Sequence, residues 1–163
     1  MRKLALLGVV LAAVAVPATV LAGRTTTSDG CLVVQNANGI ITVNGRGTLV
    51  GRFDTGQITI TDLVAGDGVI KVIGADQVQR LSEIKKRYWG ENLRFRATGR
   101  FVARVGDAVG IDLSAVAHGK VTLTTADFIE TGGRYSIDVD SFCQENFKLI
   151  PDLPQTFALG STG

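Results

Sequence analysis

Alternation of apolar and polar side chains over residues 93–125 is the feature that most constrains the fold of this chain. Leu93, Phe95 and Ala97 alternate with polar residues, and the same period of two resumes after Gly99. A period of two places one set of side chains on the buried face of a β-strand and the other set in water. The segment therefore predicts half-buried strands and an all-β domain.

Turn signals punctuate the preceding part of the chain at short intervals. Asn-Gly and Asp-Gly supply the positive φ angles that tight hairpin turns require. Many short strands at such spacing are typical of a sandwich or a barrel. We therefore expect a single-domain, two-sheet β-sandwich over residues 30–152. The glycines that interrupt runs of Val, Ile and Thr are at Asn38-Gly39, Asn44-Gly45, Gly47, Gly51, Gly56, Gly66, Asp67-Gly68 and Gly74.

A weak internal repeat keeps an alternative architecture open. Residues 56–61 match residues 119–124 in residue type at every position. Two copies are consistent with two similar meanders, one in each sheet of a sandwich. Repeats are also typical of solenoids, which need at least three stacked units. A short β-solenoid or a barrel is therefore the alternative to the sandwich.

Residues 75–88 depart from the strand pattern. Val78, Leu81 and Ile84 recur at intervals of three, with good helix formers between them and no Gly or Pro. This spacing predicts at most one short helix near 75–88, crossing an end of the sheets. An irregular strand that ends in Arg87-Tyr88-Trp89 is the alternative.

Both ends of the chain are predicted to lie outside the folded domain. Residues 1–22 have the basic head, apolar run and small-residue end of a secretory signal peptide. Cleavage after Ala22 would leave a secreted protein without a membrane span, whereas an uncleaved segment would act as an anchor. Residues 23–29 are expected to form a disordered linker and residues 153–163 a flexible tail.

The two cysteines, Cys31 and Cys143, lie near the two ends of the predicted domain. In an exported protein, an even pair of cysteines is most simply a disulfide bond. We therefore predict a disulfide between them. The chain has one histidine and no clustered cysteines, so neither a metal site nor a cofactor is expected.

Charge is unevenly distributed along the sequence. The 17 Lys and Arg residues exceed the 15 Asp and Glu residues by two, and the predicted signal peptide carries this excess in Arg2 and Lys3. A mature chain without net charge gives no support for nucleic-acid binding. Residues 80–104, in contrast, have a net charge of +6, because the acids Glu83 and Glu91 face eight cations. The cations are Arg80, Lys85, Lys86, Arg87, Arg94, Arg96, Arg100 and Arg104.

Four arginines of this segment form the predicted binding site, flanked by Trp89. Alternation places Arg94 with Arg96 on one strand face, and Arg100 with Arg104 on one face of the next strand. Guanidinium groups pair with phosphate and carboxylate. The predicted partner is therefore an anionic envelope polymer or lipid head group, with another envelope protein as a second candidate. An ordinary solvated strand face, neutralised by the acidic remainder of the chain, is the more common explanation for such a run of charges.

Two other features have a chemical interpretation. Trp89 beside Tyr88 would make a small platform for stacking on a sugar, although packing in the core or at the end of a sheet is more typical of such residues. His118 lies near Asp112 and Ser114 in sequence. Catalytic triads usually converge from separate elements, and the chain lacks a Gly-x-Ser-x-Gly motif. We therefore expect no enzymatic activity, with a hydrolase that uses His118 as the alternative.

Several short motifs resemble those of a family of uncharacterised exported β-rich proteins from high-GC Gram-positive bacteria. The motifs are Phe95-Arg96, Gly45-Arg46-Gly47, Gly51-Arg52-Phe53 and residues 110–116. The family has no established activity, so the resemblance implies an exported β-rich fold and no catalytic residues. The expected function is a non-enzymatic extracellular or cell-envelope module with a structural or interaction role. A carbohydrate- or polyanion-binding module is the alternative.

Overall fold

Seven β-strands make up the computed structural model, which describes residues 28–125, 132–138, 143 and 146–161. The predicted signal peptide and residues 23–27 lie outside these ranges. All regular structure in the described ranges is β, which confirms the all-β class, and no helix there is long and apolar enough to cross a membrane. The strands are β1 (Gly30–Asp62), β2 (Ile70–Ile73), β3 (Gln77–Arg80), β4 (Lys85–Thr125), β5 (Arg134–Asp138), β6 (Lys148–Leu149) and β7 (Gln155–Leu159).

The two long strands, β1 and β4, pair with each other along both of their edges. Along one edge, residues 30–61 of β1 run antiparallel to residues 85–117 of β4, and along the other edge residues 39–62 run antiparallel to residues 101–125. Thr42, for example, lies between Arg104 and Thr122. The two strands therefore form a coiled ribbon whose successive turns are hydrogen-bonded. All seven strands belong to one antiparallel sheet, and its packing as a two-layer sandwich stays a prediction.

The turns predicted between residues 38 and 56 are wrong, because this part of the chain is one continuous strand. Ile41, Leu49 and Phe53 are buried at alternate positions, and glycines fill other inward positions of the same series. A Cβ atom on Gly47 would overlap the carbonyl oxygen of Val116. These glycines therefore let neighbouring strands approach closely within the coil and do not reverse the chain.

The internal repeat falls at matching places in the two long strands. Residues 56–61 lie near the C-terminal end of β1, and residues 119–124 near that of β4. The first glycine of each copy has a positive φ angle, 141° at Gly56 and 158° at Gly119. Each copy of the repeat therefore lies within one of the two long strands, and the two copies do not form separate meanders.

The inward face of the coiled sheet forms a hydrophobic core. Phe53, Leu93 and Phe101 are at most 1% exposed, and the rings of Phe53 and Phe95 lie 6.3 Å apart. Complete burial of one such side chain contributes about 1.5–3 kcal/mol. The outward face of β1 and β4 carries polar and charged side chains, so it is the face available to ligands.

The helix predicted near residues 75–88 is wrong, and the strand alternative describes this segment better. β3 pairs with residues 86–89 of β4 as a hairpin, closed by a hydrogen bond from the Leu81 amide to the Lys85 carbonyl. Val78 and Ile84 are 59% and 49% exposed. Pairing with β1 fixes residues 85–89 as a strand.

The predicted flexible tail is also wrong for residues 155–159, which form β7 and pair with residues 119–123 of β4. Leu159 is 1% exposed and Phe157 packs against the core. Ser28, within the predicted linker, bridges to Ser161. The packing of Phe157 and Leu159 against the core explains why the chain continues as a strand beyond Pro154.

The predicted disulfide is confirmed. Cys31 at the start of β1 is bonded to Cys143, with a Cα–Cα distance of 5.7 Å. The bond joins the first strand to the segment between β5 and β6, across a sequence separation of 112. A disulfide fits an extracellular protein.

Candidate anion-binding face

The four predicted arginines are all exposed and lie on the outward side of β4. The sequence predicts that Arg100 and Arg104 lie on a strand after that of Arg94 and Arg96, but β4 continues through Gly99, which has a φ angle of 87°. The arginines therefore share one strand and not two. At about 3.3 Å per residue, Arg94 and Arg104 are about 33 Å apart along the strand, so the strand alone does not bring them together.

Other cations from β1 and β2 join three of these arginines. Residues directly opposite each other on antiparallel strands point to the same side of the sheet, with Cβ atoms about 4.5–5.5 Å apart. Each of the three pairs is like-charged and exposed. We call these six residues the cationic face: Arg94 opposite Arg52, Arg96 opposite Lys71, and Arg100 opposite Arg46.

Like charges directly opposite each other destabilise a sheet. Among the described residues of the cationic face, one guanidinium has an ion-pair partner: Arg52 donates to the Asp112 carboxylate at 2.7 and 3.0 Å. Asp67 accepts hydrogen bonds from the backbone N–H of Arg100 and not from its guanidinium. The charge of Asp54 also acts on Arg52, so negative charge lies beside Arg52 and Arg100, whereas Arg96 and Lys71 have no ion-pair partner among the described residues.

Asp112 is the carboxylate that forms an ion pair with the cationic face, through Arg52. Partial burial acts to raise its pKa, but the hydrogen bond from the Asn36 amide and the hydrogen bonds and charge of Arg52 outweigh burial, so the pKa lies below its ordinary value. The same contact raises the pKa of Arg52. Asp112 is therefore ionised at neutral pH and offsets one of the two guanidinium charges at the Arg94·Arg52 pair.

A shallow groove of about 500 Å³ lies at this end of the cationic face. Its lining includes the guanidinium-bearing Arg52 and Arg94, the acid Asp112, and the apolar Val33 and Val50. Val50 is 41% exposed. The groove therefore combines apolar and charged lining residues.

A second depression, of about 600 Å³, lies at the other end of the face. Arg46 stands between Arg100 on one neighbouring strand segment and His118 on the other, and all three line this cavity together with Asp29. The Nδ1 atom of His118 is buried and has no hydrogen-bond partner among the described residues. The charged and protonatable groups that line the cavity are therefore two guanidinium groups, one imidazole ring and one carboxylate.

Arg104 and Trp89, two of the predicted site residues, are not part of the like-charged pairs. Arg104 lies between Thr42 and Thr59. The ring of Trp89 contacts Arg87, whose guanidinium carbon is 5.6 Å from the ring centroid. Since Arg87 covers one side of the ring, the structure offers only part of the sugar-stacking platform that the sequence predicts.

His118, Asp112 and Ser114 do not form a hydrolytic triad. All three side chains lie on the outward side of β4. Asp112 is about 20 Å along the strand from His118, and its carboxylate accepts hydrogen bonds from Arg52 and from the Asn36 amide. Ser114 lies opposite Val50 and Val33. No group of three or more His, Cys, Asp or Glu side chains in the described ranges is arranged to hold a metal ion.

Three members of the cationic face are not predicted from the sequence: Arg46, Arg52 and Lys71. A signal for the first two is present, because they occupy the even positions that alternate with buried Ile41, Leu49 and Phe53. That alternation identifies them as outward once the intervening glycines are taken as part of the strand.

No family model, curated protein or solved structure matches this chain.

Proposed function

We propose that this chain is an exported, non-enzymatic module of the cell envelope, akin to the exported β-rich proteins that it resembles, and that it binds an anionic polymer. The cationic face is the binding surface. The observation that carries the proposal is the set of three like-charged pairs lying directly opposite each other across the strands.

Like-charged pairs oppose folding, and a stable sheet has no need of them. Opposite charges or hydroxyl groups at the same positions would stabilise the strands by about 0.2–1 kcal/mol per pair. Departures from local stability rules are expected where a surface serves function. An anionic ligand removes the repulsion when it binds, because each guanidinium or ammonium group then gains an oxyanion partner.

The spacing of the two depressions suits a chain-like ligand. Arg52 at the groove and Arg46 at the cavity are six residues apart on β1, about 20 Å along the strand. A polymer that reaches both places would bind at two points, and the second contact would form at a high effective concentration. The apolar side chains of Val33 and Val50 would accommodate uncharged parts of the polymer.

Retention on immobilised polyphosphate or polyglutamate tests the proposal. We expect the wild-type protein to be retained at low salt and released as salt rises, because exposed charges are screened beyond about 8 Å at physiological ionic strength. The double variant R94Q/R96Q should elute at clearly lower salt. It removes one member from each of two like-charged pairs.

The matched control is R134Q/K148Q, which removes two exposed positive charges from β5 and β6. This control should elute with the wild type. Equal displacement of the two double variants would show that net charge alone governs retention, and would overturn the proposal. Binding to anionic lipid vesicles without binding to either polymer would also contradict it and would assign the face to a membrane surface.

A further inference from the structure

We propose that one end of the sheet docks on the surface of an anionic lipid bilayer. The docking residues are Leu63, Val64, Leu81 and Ile84, which we call the apolar tip. They lie in two loops, one that follows β1 and one that joins β3 to β4. The inference goes beyond the proposed function, because no residue of the apolar tip belongs to the cationic face.

Exposed apolar side chains are concentrated around this end of the sheet. Among the described residues, twelve large apolar side chains are exposed, and seven of them fall within residues 63–84. Single exposed apolar residues are ordinary on protein surfaces, but a group of them marks a surface that meets a partner or a membrane. The apolar tip contains four of the seven, and their side chains are 39–49% exposed. The described protein therefore leaves these side chains in water.

Backbone hydrogen bonds bring the two loops together. The Asp62 amide donates to the Ile84 carbonyl at 2.8 Å, and the Leu63 amide donates to the Arg100 carbonyl at 3.0 Å. Leu63 and Ile84 therefore lie on neighbouring backbone segments. Leu63 also lines the cavity that contains Arg46 and Arg100, so the apolar tip adjoins one end of the cationic face.

Unpaired cations flank the apolar tip. Residues 80–87 contain four cations and one acid, so their net charge is +3, and none of these cations forms an ion pair within the described part of the chain. The loop after β1 adds two acids, Asp62 and Asp67, whose carboxylates accept hydrogen bonds from the backbone amides of Val64 and Arg100. Basic side chains beside an anionic leaflet are attracted to its surface. The charge of residues 80–87 therefore complements anionic head groups.

Two other occupants fit these observations less well. A dissolved anionic polymer would leave the apolar tip in water. In a symmetric dimer the same patch meets itself, so the cations of residues 80–87 would approach those of the second copy. A bilayer removes the apolar side chains from water and places head groups beside the cations, and both contributions strengthen binding at a membrane interface.

Sedimentation of the protein with lipid vesicles tests the inference. Vesicles of phosphatidylglycerol and phosphatidylcholine in equal parts should bind the wild type. Vesicles of phosphatidylcholine alone should bind it about tenfold more weakly, because they lack anionic head groups. The variant L81S/I84S should bind the mixed vesicles about tenfold more weakly than the wild type, because two apolar side chains no longer leave water on binding.

The matched control is L149S/L153S, which removes two exposed apolar side chains from β6 and from the loop before β7. It should bind the mixed vesicles as the wild type does. Circular dichroism and urea unfolding of both double variants establish that each is folded. Equal losses in the two variants would show that overall hydrophobicity governs binding and would overturn the inference, as would a wild type that does not bind the mixed vesicles.

A second copy of the chain is the other occupant that the test can reveal. Sedimentation velocity of the wild type without vesicles should show a monomer. A dimer that L81S/I84S abolishes, in a protein that does not bind vesicles, would assign the apolar tip to self-association and would contradict docking on lipid.

The same variants separate this inference from the proposed function. L81S/I84S should keep wild-type retention on polyphosphate, because its cationic face is intact. If R94Q/R96Q abolishes vesicle binding while L81S/I84S preserves it, the cationic face alone meets the lipid and the inference is wrong. If L81S/I84S loses vesicle binding and neither polymer retains the wild type, the inference stands and the proposed function is wrong.

Discussion

The outward side of the sheet is built in two different ways at its two ends. Toward β2, the cationic face sets like charges opposite each other, as in the Arg96 and Lys71 pair. Toward β7, hydroxyl groups occupy the same kind of position: Thr42 of β1 lies opposite Thr122 of β4, which lies opposite Thr156 of β7. We call these three residues the hydroxyl row. The Thr122 and Thr156 hydroxyl oxygens are hydrogen-bonded at 2.8 Å.

The difference shows what each end of the sheet contributes. Threonine is well suited to strands, and hydrogen-bonded threonine pairs stabilise neighbouring strands. The hydroxyl row is therefore accounted for by stability alone. The cationic face opposes stability at the same kind of position, on the same two long strands, and this contrast is why we assign it to binding.

The largest expected effect is on the free energy of unfolding, and it should leave anion binding unchanged. Exchange of Cys31 and Cys143 for serine removes a bond that closes a loop of more than a hundred residues, which should lower the free energy of unfolding by about 4–5 kcal/mol in the chain-entropy model. Neither cysteine belongs to the cationic face. Urea unfolding should therefore show the loss, while the fraction that remains folded is retained by polyphosphate at the wild-type salt concentration. Lost retention of the folded fraction would contradict the separation.

The all-β class could be predicted from local alternation and the disulfide from the single pair of cysteines, but the pairing of the strands could not. The in-phase alternation at Leu93, Phe95 and Ala97 correctly predicts an outward Arg94 and Arg96. The Asn-Gly and Gly motifs of β1 misled the prediction, because a glycine in a turn and a glycine at a close approach between strands look the same locally. The like-charged pairs depend on a register between residues tens of positions apart, which no local pattern encodes.

A smaller effect is expected in the hydroxyl row. Replacement of Thr122 by valine keeps the shape and the strand preference of the side chain but removes its hydrogen bond with Thr156. We expect a loss of about 0.5–1.5 kcal/mol in the free energy of unfolding and unchanged retention on polyphosphate. Equal losses in T122V and in the double variant T122V/T156V would confirm that the pair acts as a unit. Reduced retention in T122V would break the comparison by extending the binding surface to this end.

The smallest effect concerns Asp112, the carboxylate that compensates the Arg94·Arg52 pair. Its pKa is lowered in the folded protein, so its contribution to stability is present above the ordinary aspartate value of about 3.9 and is lost as the pH falls through the lowered folded value. D112N should therefore be slightly less stable than the wild type at neutral pH and equally stable in strong acid. Since both partners are partly exposed, added salt should shrink the difference. A difference that persists unchanged in acid would show that Asp112 acts through packing and not through charge.

The most direct measurement compares the unfolding free energies of the wild type and R96Q at low salt, with and without polyphosphate. Without polyphosphate, R96Q should be more stable by about 0.2–1 kcal/mol, because Lys71 no longer faces a like charge. With saturating polyphosphate, the order should reverse, because the ligand stabilises the form that binds it more tightly. The control K148Q should show no reversal. If R96Q is the less stable protein under both conditions, or if polyphosphate stabilises both proteins equally, the like-charged pairs are not kept for anion binding and the central claim is wrong.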